Sequence, residues 1–401
     1  MAERPAPESG PQKSQCDEIR RALIALNMVH EHRGLVCALA QRVQAEGDLA
    51  CGDFAKQAAG GLEAPVKRVR ETLRTARGCL GSVGAETARA TEIGATLITL
   101  VDADYPRALA DLGLHAPPVL YVRGNLPDGP GIAIVGSRKA DAYGLEVASW
   151  FARRLAAAGL IIVSGFARGI DQAAHRGALS ARAGTGRTAA VLGCGLDIDY
   201  PRNSRRTAAE ITRRGCLISE FPFGWQPRPW HFPIRNRIIA ALGFASIVVR
   251  AANRSGSLIT ARLALDLGRE VYAVPGSVLS RESAGAHLLL RDGAIPALDP
   301  DALLETLPTA VLDALERRTL QDAASARSPE GAKSADAARQ DDVDSDVDGL
   351  LVALRSGART PEELASRLSL PIPGVLATLA RLEIDGLVRR YDGASYALMA
   401  R

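Results

Sequence analysis

Six short apolar runs punctuate the middle of the chain: Ile132–Val135, Leu160–Val163, Thr188–Leu192, Cys216–Ser219, Ser246–Val249 and Val271–Val274. None alternates apolar with polar residues. A strand with one wet face alternates; a strand covered on both faces reads as a continuous apolar run. Helix-length segments separate most of them: Tyr143–Ala158, Gly169–Ala181, Ser204–Arg214, Arg237–Leu242 and Leu258–Leu267. Strands that alternate with helices predict an α/β fold with an extended, doubly wound, Rossmann-like sheet. Two earlier strands, Ala95–Leu100 and Pro117–Gly124, read as a lead-in to that sheet, so the core spans residues 95–305.

In such sheets ligands bind beyond the carboxyl ends of the strands. Here those ends carry small donors and cations: Gly136-Ser137-Arg138-Lys139, Ser164-Gly165 on to Arg168, the Gly193–Asn203 loop, and Ala251–Ser257 with Arg254, Ser255, Gly256 and Ser257. Glycines admit close backbone approach, and serines, arginines and N–H groups cradle anions. Between the fourth and fifth strands, Arg235, Asn236 and Arg237 open what reads as a helix, a position that favours phosphate. The two arginines either bind phosphates or pair with carboxylates. Just before them, Phe221–Phe232 holds five aromatics in twelve residues, in a chain with 4% aromatics. Aromatics beside a basic groove stack single-stranded bases, so Phe223, Trp225, Trp230 and Phe232 are candidate stacking residues; the other reading is that they fasten the Pro-rich loop to the sheet.

Charge supports a polyanionic partner. From Gly131 to Pro300 there are 22 Lys+Arg against 12 Asp+Glu, a net of +10, whereas Gln321–Asp348 has 3 against 8, a net of −5. The dinucleotide fingerprint is missing after the first strand, and no phosphate-binding G-x-x-x-x-G-K-[ST] loop exists, which argues against nicotinamide or P-loop chemistry. Asp171, Asp197, Asp199 and Glu220 lie near strand ends and offer a carboxylate pair for hydrolysis, but each also reads structurally: Asp171 as a helix-dipole partner, Glu220 as an arginine anchor. His175 and His231 stand alone. The six cysteines are scattered without a metal spacing, so no metal and no cofactor are expected. No apolar run approaches a membrane span and the first residues lack an apolar leader core, which predicts a cytoplasmic protein with no membrane partner.

Seven segments together resemble the DNA-processing protein A family (DprA, also called Smf). They are Ile132–Arg138, Val163–Asp171, Gly195–Asn203, Ser219–Gly224, Phe232–Ile239, Ser255–Ala261 and Val274–Gly276, in that order. The resemblance implies a core that binds single-stranded DNA, delivers the recombinase RecA onto it during natural transformation, forms a homodimer and turns over no substrate. By motif it assigns phosphate contacts to Ser137, Arg138, Arg168, Arg235, Asn236, Arg237 and Ser255–Ser257. Gly136, Lys139, Gly165, Asn203 and Arg254 join them from the loops. Two positions depart from the family pattern: Arg250 where Glu is usual, and His287 where Asn is usual. A nucleotide-binding or nucleotide-processing enzyme on a Rossmann core remains the alternative.

The flanks read as separate pieces. Residues 1–16 read as a disordered, polar tail and 17–94 as a small helical domain of SAM or helix-hairpin type, in which His30 and His32 do not share a helical face. Residues 317–348 read as an acidic flexible linker ending in Asp341–Asp348. Residues 349–401 follow a winged-helix pattern: a helix at Leu350–Arg355, a capped start at Thr360-Pro-Glu-Glu363, a third helix at Pro373–Asp385, and a hairpin turning at Asp392-Gly393. The third helix presents only Thr378 and Arg381 as base-reaching groups, which favours a protein-contact or regulatory role.

Overall fold

The apolar runs become neighbouring strands of one nine-stranded sheet. The computed structural model describes residues 11–29, 33–46, 66–181 and 186–326, and further on 350, 354, 360–368, 375, 376, 378, 379, 382, 383, 388–391 and 395–398. Helices α1 (Pro11–Asn27), α2 (Arg33–Glu46), α3 (Val66–Cys79) and α4 (Val83–Glu92) come first, so residues 11–16, read from the sequence as disordered tail, are helical. Then follow β1 (Ala95–Thr99), α5 (Arg107–Ala110), β2 (Val119–Gly124), β3 (Gly131–Val135), α6 (Ala142–Ala157), β4 (Ile161–Ser164) and α7 (Ile170–Leu179). Next are β5 (Thr188–Val191), α8 (Arg205–Arg214), β6 (Cys216–Ser219), α9 (His231–Leu242), β7 (Gly243–Val248) and α10 (Ser257–Asp266). The series ends with β8 (Glu270–Ala273), α11 (Ala284–Arg291), β9 (Ile295–Pro296), α12 (Pro300–Glu305) and α13 (Thr309–Ala326).

The strand order is β1-β2-β6-β5-β4-β3-β7-β8-β9. From β6 through β9 every pair is parallel, while β2 runs antiparallel to β6 and β1 antiparallel to β2. The chain therefore winds outward from β3 to β6, returns, and continues from β7 on the other side of β3. That reversal opens a crevice between the ends of β3 and β7. Both faces are covered, as the apolar runs require. Ile132 and Ile134 pack with Phe151, Leu155 and Ile170; Ala133 and Val135 face Ile238, Ile239 and Ala261.

Helix α9 begins at His231, not at Arg235 as the sequence suggested. Pro233 is tolerated because the first turn of a helix leaves its N–H groups without partners. Arg235–Arg237 thus lie in the second turn, away from the helix terminus.

The N-terminal helices share a core with the sheet: Leu23 and Leu26 pack in one cluster with Leu120 and Ile218. A fully buried carboxylate joins them. Glu220, after β6, accepts from Arg237 Nη1 (2.5 Å) and Nη2 (2.9 Å) and from Arg33 Nη2 (3.2 Å). Its carbonyl accepts from Asn27 Nδ2 at 3.0 Å, and Arg33 Nη1 donates to Asn27 O at 2.7 Å. Burial alone pushes the Glu220 pKa up, but Arg237 and Arg33 outweigh it and hold the carboxyl at about 2.

The chain divides into Met1–Arg318 and Thr319–Arg401. Helix α13 runs to Ala326, so the first part of the stretch read as linker is helical. In the second unit, α14 (Pro361–Leu368) starts with a capping box: Thr360 Oγ1 accepts from Glu363 N–H and Glu363 Oε2 from Thr360 N–H, both at 3.3 Å. β10 (Val388–Tyr391) and β11 (Ser395–Leu398) pair antiparallel, and Leu350, Leu364, Val375, Leu379, Leu382 and Tyr396 close a small core. His30, His32, Arg381, the Asp392-Gly393 turn and the acidic run Asp341–Asp348 lie outside the described residues.

Glu220→Gln leaves two arginines sharing a buried site without a counter-charge, which is expected to cost about 3–5 kcal/mol in urea or thermal unfolding. Because the folded pKa lies below the ordinary carboxylate value, this stabilisation is present above about pH 4 and is lost as pH falls toward about 2. An acid titration of stability checks it against the variant.

Candidate functional site

Three segments meet at the reversal of the sheet. Ser137 N–H donates to Arg250 O (2.7 Å), and Ile170 N–H donates to Ser137 O (3.2 Å), so the β3 loop is tied to the end of β7 and to the start of α7. This contact demands glycine at 169: its φ is +83°, and a Cβ there would stand 2.3 Å from Ser137 O. Between the loops and α9 lies a cavity of about 500 Å³.

The cavity is lined by Gly136, Ser137 and Arg138 from the β3 loop, by Phe232, Arg235 and Asn236 from α9, and by Arg254, Ser255, Gly256 and Ser257 before α10. Asn236 Nδ2 donates to Gly256 O at 3.2 Å, and the hydroxyls of Ser255 and Ser257 are 2.7 Å apart. Asn236 therefore sets the position of the serine loop.

Arg235 enters from beneath and is only 3% exposed. Its Nη1 donates to Gly165 O (2.6 Å) and to Val191 O. Its Nε is buried without a partner among the described residues. Gly165 makes this possible, since a Cβ there would fall 2.7 Å from Arg235 Nη2 and 2.6 Å from Asp171 Oδ2. Burial lowers the Arg235 pKa to about 10, so the side chain stays cationic at neutral pH.

Arg138 is exposed, with its guanidinium 4.5 Å from the centroid of the Phe232 ring. It forms no ion pair among the described residues, and neither do Arg254, Arg168 and Lys139. One carboxylate lines the cavity. Asp171 is 6% exposed and accepts from Ala167 N–H at 3.3 Å. Burial raises its pKa to about 6 against the opposing pull of Arg235. The sequence offered Asp171 as one of four strand-end carboxylates and favoured a helix-dipole role for it; its place at the second position of α7, beside the Gly169 contact, puts it in the cavity lining instead.

Other sequence-predicted residues lie apart from the cavity lining. Lys139 follows Arg138, and its N–H donates to Ser137 Oγ (3.1 Å). Arg168 is exposed in the loop after β4, and Asn203, with φ +66°, is exposed before α8. Arg237 is ion-paired to Glu220 and donates from Nε to His115 O at 2.8 Å. Residues two apart on a helix point to nearly opposite sides, so Arg235 and Arg237 cannot both face one crevice.

The aromatics divide likewise. Phe223 is buried edge-on to Tyr121 (5.0 Å), and Trp225 is buried beside Phe221 and His231 (5.9 Å each). Arg33 stands over both Phe221 (5.9 Å) and Trp225 (5.7 Å). These rings fasten the Pro-rich loop and the N-terminal helices together. Trp230 is 56% exposed with Arg228 at 5.3 Å, and Phe232 alone of the four lines the cavity.

The remaining acids and histidines are held structurally. Asp197 accepts from Gly224 N–H (3.0 Å) and pairs with Arg89 (3.2 Å); Asp199 pairs with Arg205 (3.5 Å). His175 Nδ1 lies 2.7 Å from Thr188 Oγ1, and His231 Nδ1 lies 3.1 Å from Gly193 O. Of the two departures, Arg250 turns its guanidinium to Asp141 (2.5 and 3.1 Å) and to Ser283 Oγ, away from the cavity. His287 Nε2 lies 3.1 Å from Gly276 O. The crevice is thus a cradle of serine hydroxyls, glycine backbone and three guanidiniums with a single, easily neutralised acid, suited to holding phosphates.

Residues 96–308 match the family described as DNA recombination-mediator protein A, and residues 333–394 match the DprA winged helix domain. The chain is 39% identical over 296 residues to Protein Smf of Escherichia coli K12, covering 73% of this chain and 72% of that one. It is 42% identical over 198 residues to the DNA processing protein DprA of Streptococcus pneumoniae, covering 49% and 68%. The X-ray structure of the S. pneumoniae protein superposes with a TM-score of 0.62 at 32% identity, covering 72% of this chain and 98% of that one. A doubly wound core, a C-terminal winged helix and these likenesses together make this chain a member of the DNA recombination-mediator protein A (DprA/Smf) family.

Proposed function

We propose that this protein binds single-stranded DNA along the crevice at the sheet reversal and loads RecA onto it in transformation or recombination. The observation that carries this is the convergence of Arg138, Arg235 and Arg254 on one cavity with Asp171 as its lone carboxylate. Phosphate contacts hold a strand without reading its sequence. Arg138 over Phe232 offers a flat, cationic platform on which a base stacks. Exposed Arg168 and Lys139, next to the cavity-lining loops in sequence, extend the basic track beyond the cavity. RecA as the partner is supported by membership in a recombination-mediator family. A homodimer acting in the cytoplasm and without turnover completes this reading.

One observation favours the alternative of a nucleotide-processing enzyme. Asp171, with a pKa near 6, has the value a general acid or base needs at neutral pH. An enzyme binds or turns over a mononucleotide, whereas a strand-holding protein requires an oligonucleotide. Titrating both ligands separates the two.

Arg138→Ala/Arg254→Ala removes two phosphate-binding guanidiniums and leaves the core untouched. Single-strand affinity is expected to fall about tenfold for each guanidinium removed. The plot of log affinity against log salt becomes shallower by about 1.4, at about 0.7 per phosphate. Unchanged affinity and slope would place the DNA elsewhere.

Asp171 gives a pH signature. Its folded pKa lies above the ordinary carboxylate value, so the stability linked to its protonated form is present below about pH 4 and lost as pH rises through about 6. Over the same interval the crevice gains a negative charge, so oligonucleotide affinity is expected to weaken between pH 5.5 and 7.5, flanking the Asp171 value of about 6. Asp171→Asn is expected to flatten both profiles. Parallel pH profiles for wild type and variant would refute the assignment.

A further inference from the structure

Helix α3 carries charge that the crevice does not use. Its Val69, Thr72, Leu73 and Ala76 are buried, while Lys67, Arg68, Arg70 and Arg74 face solvent. Counting its residues gives five cations (Lys67, Arg68, Arg70, Arg74 and Arg77) against one acid, Glu71, a net of +4. That equals the formal net charge of the entire chain.

Glu71 stands three residues from both Arg68 and Arg74, the spacing at which helical ion pairs form. Yet among the described residues Lys67, Arg68, Arg70 and Arg74 form none. The other arginine-rich helix behaves differently. On α8, Arg206 pairs with Glu210 (3.1 Å), and Arg205 pairs with Asp199 (3.5 Å). Like charges four apart, such as Arg70 and Arg74, repel each other and destabilise the helix. Among the described residues, no ion pair offsets the repulsion between Lys67, Arg70 and Arg74, and a polyanion would relieve it. Lys67, Arg70 and Arg74 fall at i, i+3 and i+7, so they line up as a ridge about 10 Å long at about 1.5 Å per residue.

We infer that this ridge is a second nucleic-acid contact, separate from the crevice, which holds the phosphate backbone without reading bases. The chemistry of its groups fits no narrower ligand: they are long, exposed cations with no cavity or hydrophobic platform among them, and Glu71 is the single acid on the helix. That the polyanion is nucleic acid rests on the function proposed above. A strand held at both places is anchored over a longer stretch than the crevice alone can cover.

The test uses the full chain and a long oligothymidylate across a salt series. Lys67→Ala/Arg70→Ala/Arg74→Ala keeps helix propensity and touches no buried residue, so its melting temperature should match wild type. The salt slope is expected to become shallower by about 2, because three phosphates are no longer neutralised, at about 0.7 each. Affinity at low salt should drop at least tenfold, and this drop should add to that of the Arg138→Ala/Arg254→Ala crevice variant. A wild-type slope in the α3 variant overturns the inference. If the crevice variant binds normally while the α3 variant does not, the crevice reading fails and the ridge stands. No binding by wild type overturns both.

Discussion

A single buried carboxylate holds distant parts of this chain in register. Glu220 sits at the end of β6 with no exposure, gripped by Arg237 from α9 and by Arg33 from the N-terminal helices. Folded proteins are stable by only about 5–15 kcal/mol, and breaking a buried ion pair costs a large part of that. The geometry of α9 is thus fixed from its inner side. The opposite side of the same helix presents Arg235 and Asn236 to the crevice. Structural and binding roles are divided across one helix, two residues apart.

The crevice follows from topology before it follows from side chains. Reversal of the strand order at β3 separates two loops, and both are then stitched by backbone hydrogen bonds: Ser137 to Arg250, and Ile170 to Ser137. Gly165 leaves room for Arg235, and Gly169 leaves room for the β3 loop. Arg235 uses one nitrogen on carbonyls and keeps Nε without a partner among the described residues, which is unusual because unpaired buried donors are costly.

Much of the fold was legible because burial on both faces leaves a plain mark: the apolar runs at Ile132–Val135, Leu160–Val163 and Ser246–Val249 became β3, β4 and β7. The start of α9 was not, because the prolines in the aromatic loop look like a barrier when Pro233 in fact falls within the first turn. Of the site, the loops that meet at β3 and β7 could be read from strand ends alone. The sequence offered Glu220 as an arginine anchor, and Arg237 and Arg33 fill that place; what could not be read was which arginine and which aromatics take the structural role and which face the cavity. Arg237 is taken by a carboxylate 17 residues away, and Arg33, 187 residues from Glu220, packs over Phe221 and Trp225. Such pairings depend on tertiary contact and leave no local pattern. The two-residue spacing of Arg235 and Arg237 was the one clue in the sequence that they face opposite ways.

The most direct measurement is hydrogen exchange of the full chain with and without oligothymidylate. A single-strand site in the crevice predicts slowed exchange in the backbone of 136–139 and 254–257, with no change around Glu220 and Arg237. A single mononucleotide should not reproduce that protection. Protection confined to other segments, or the same protection from a mononucleotide, would contradict the crevice as a single-strand site.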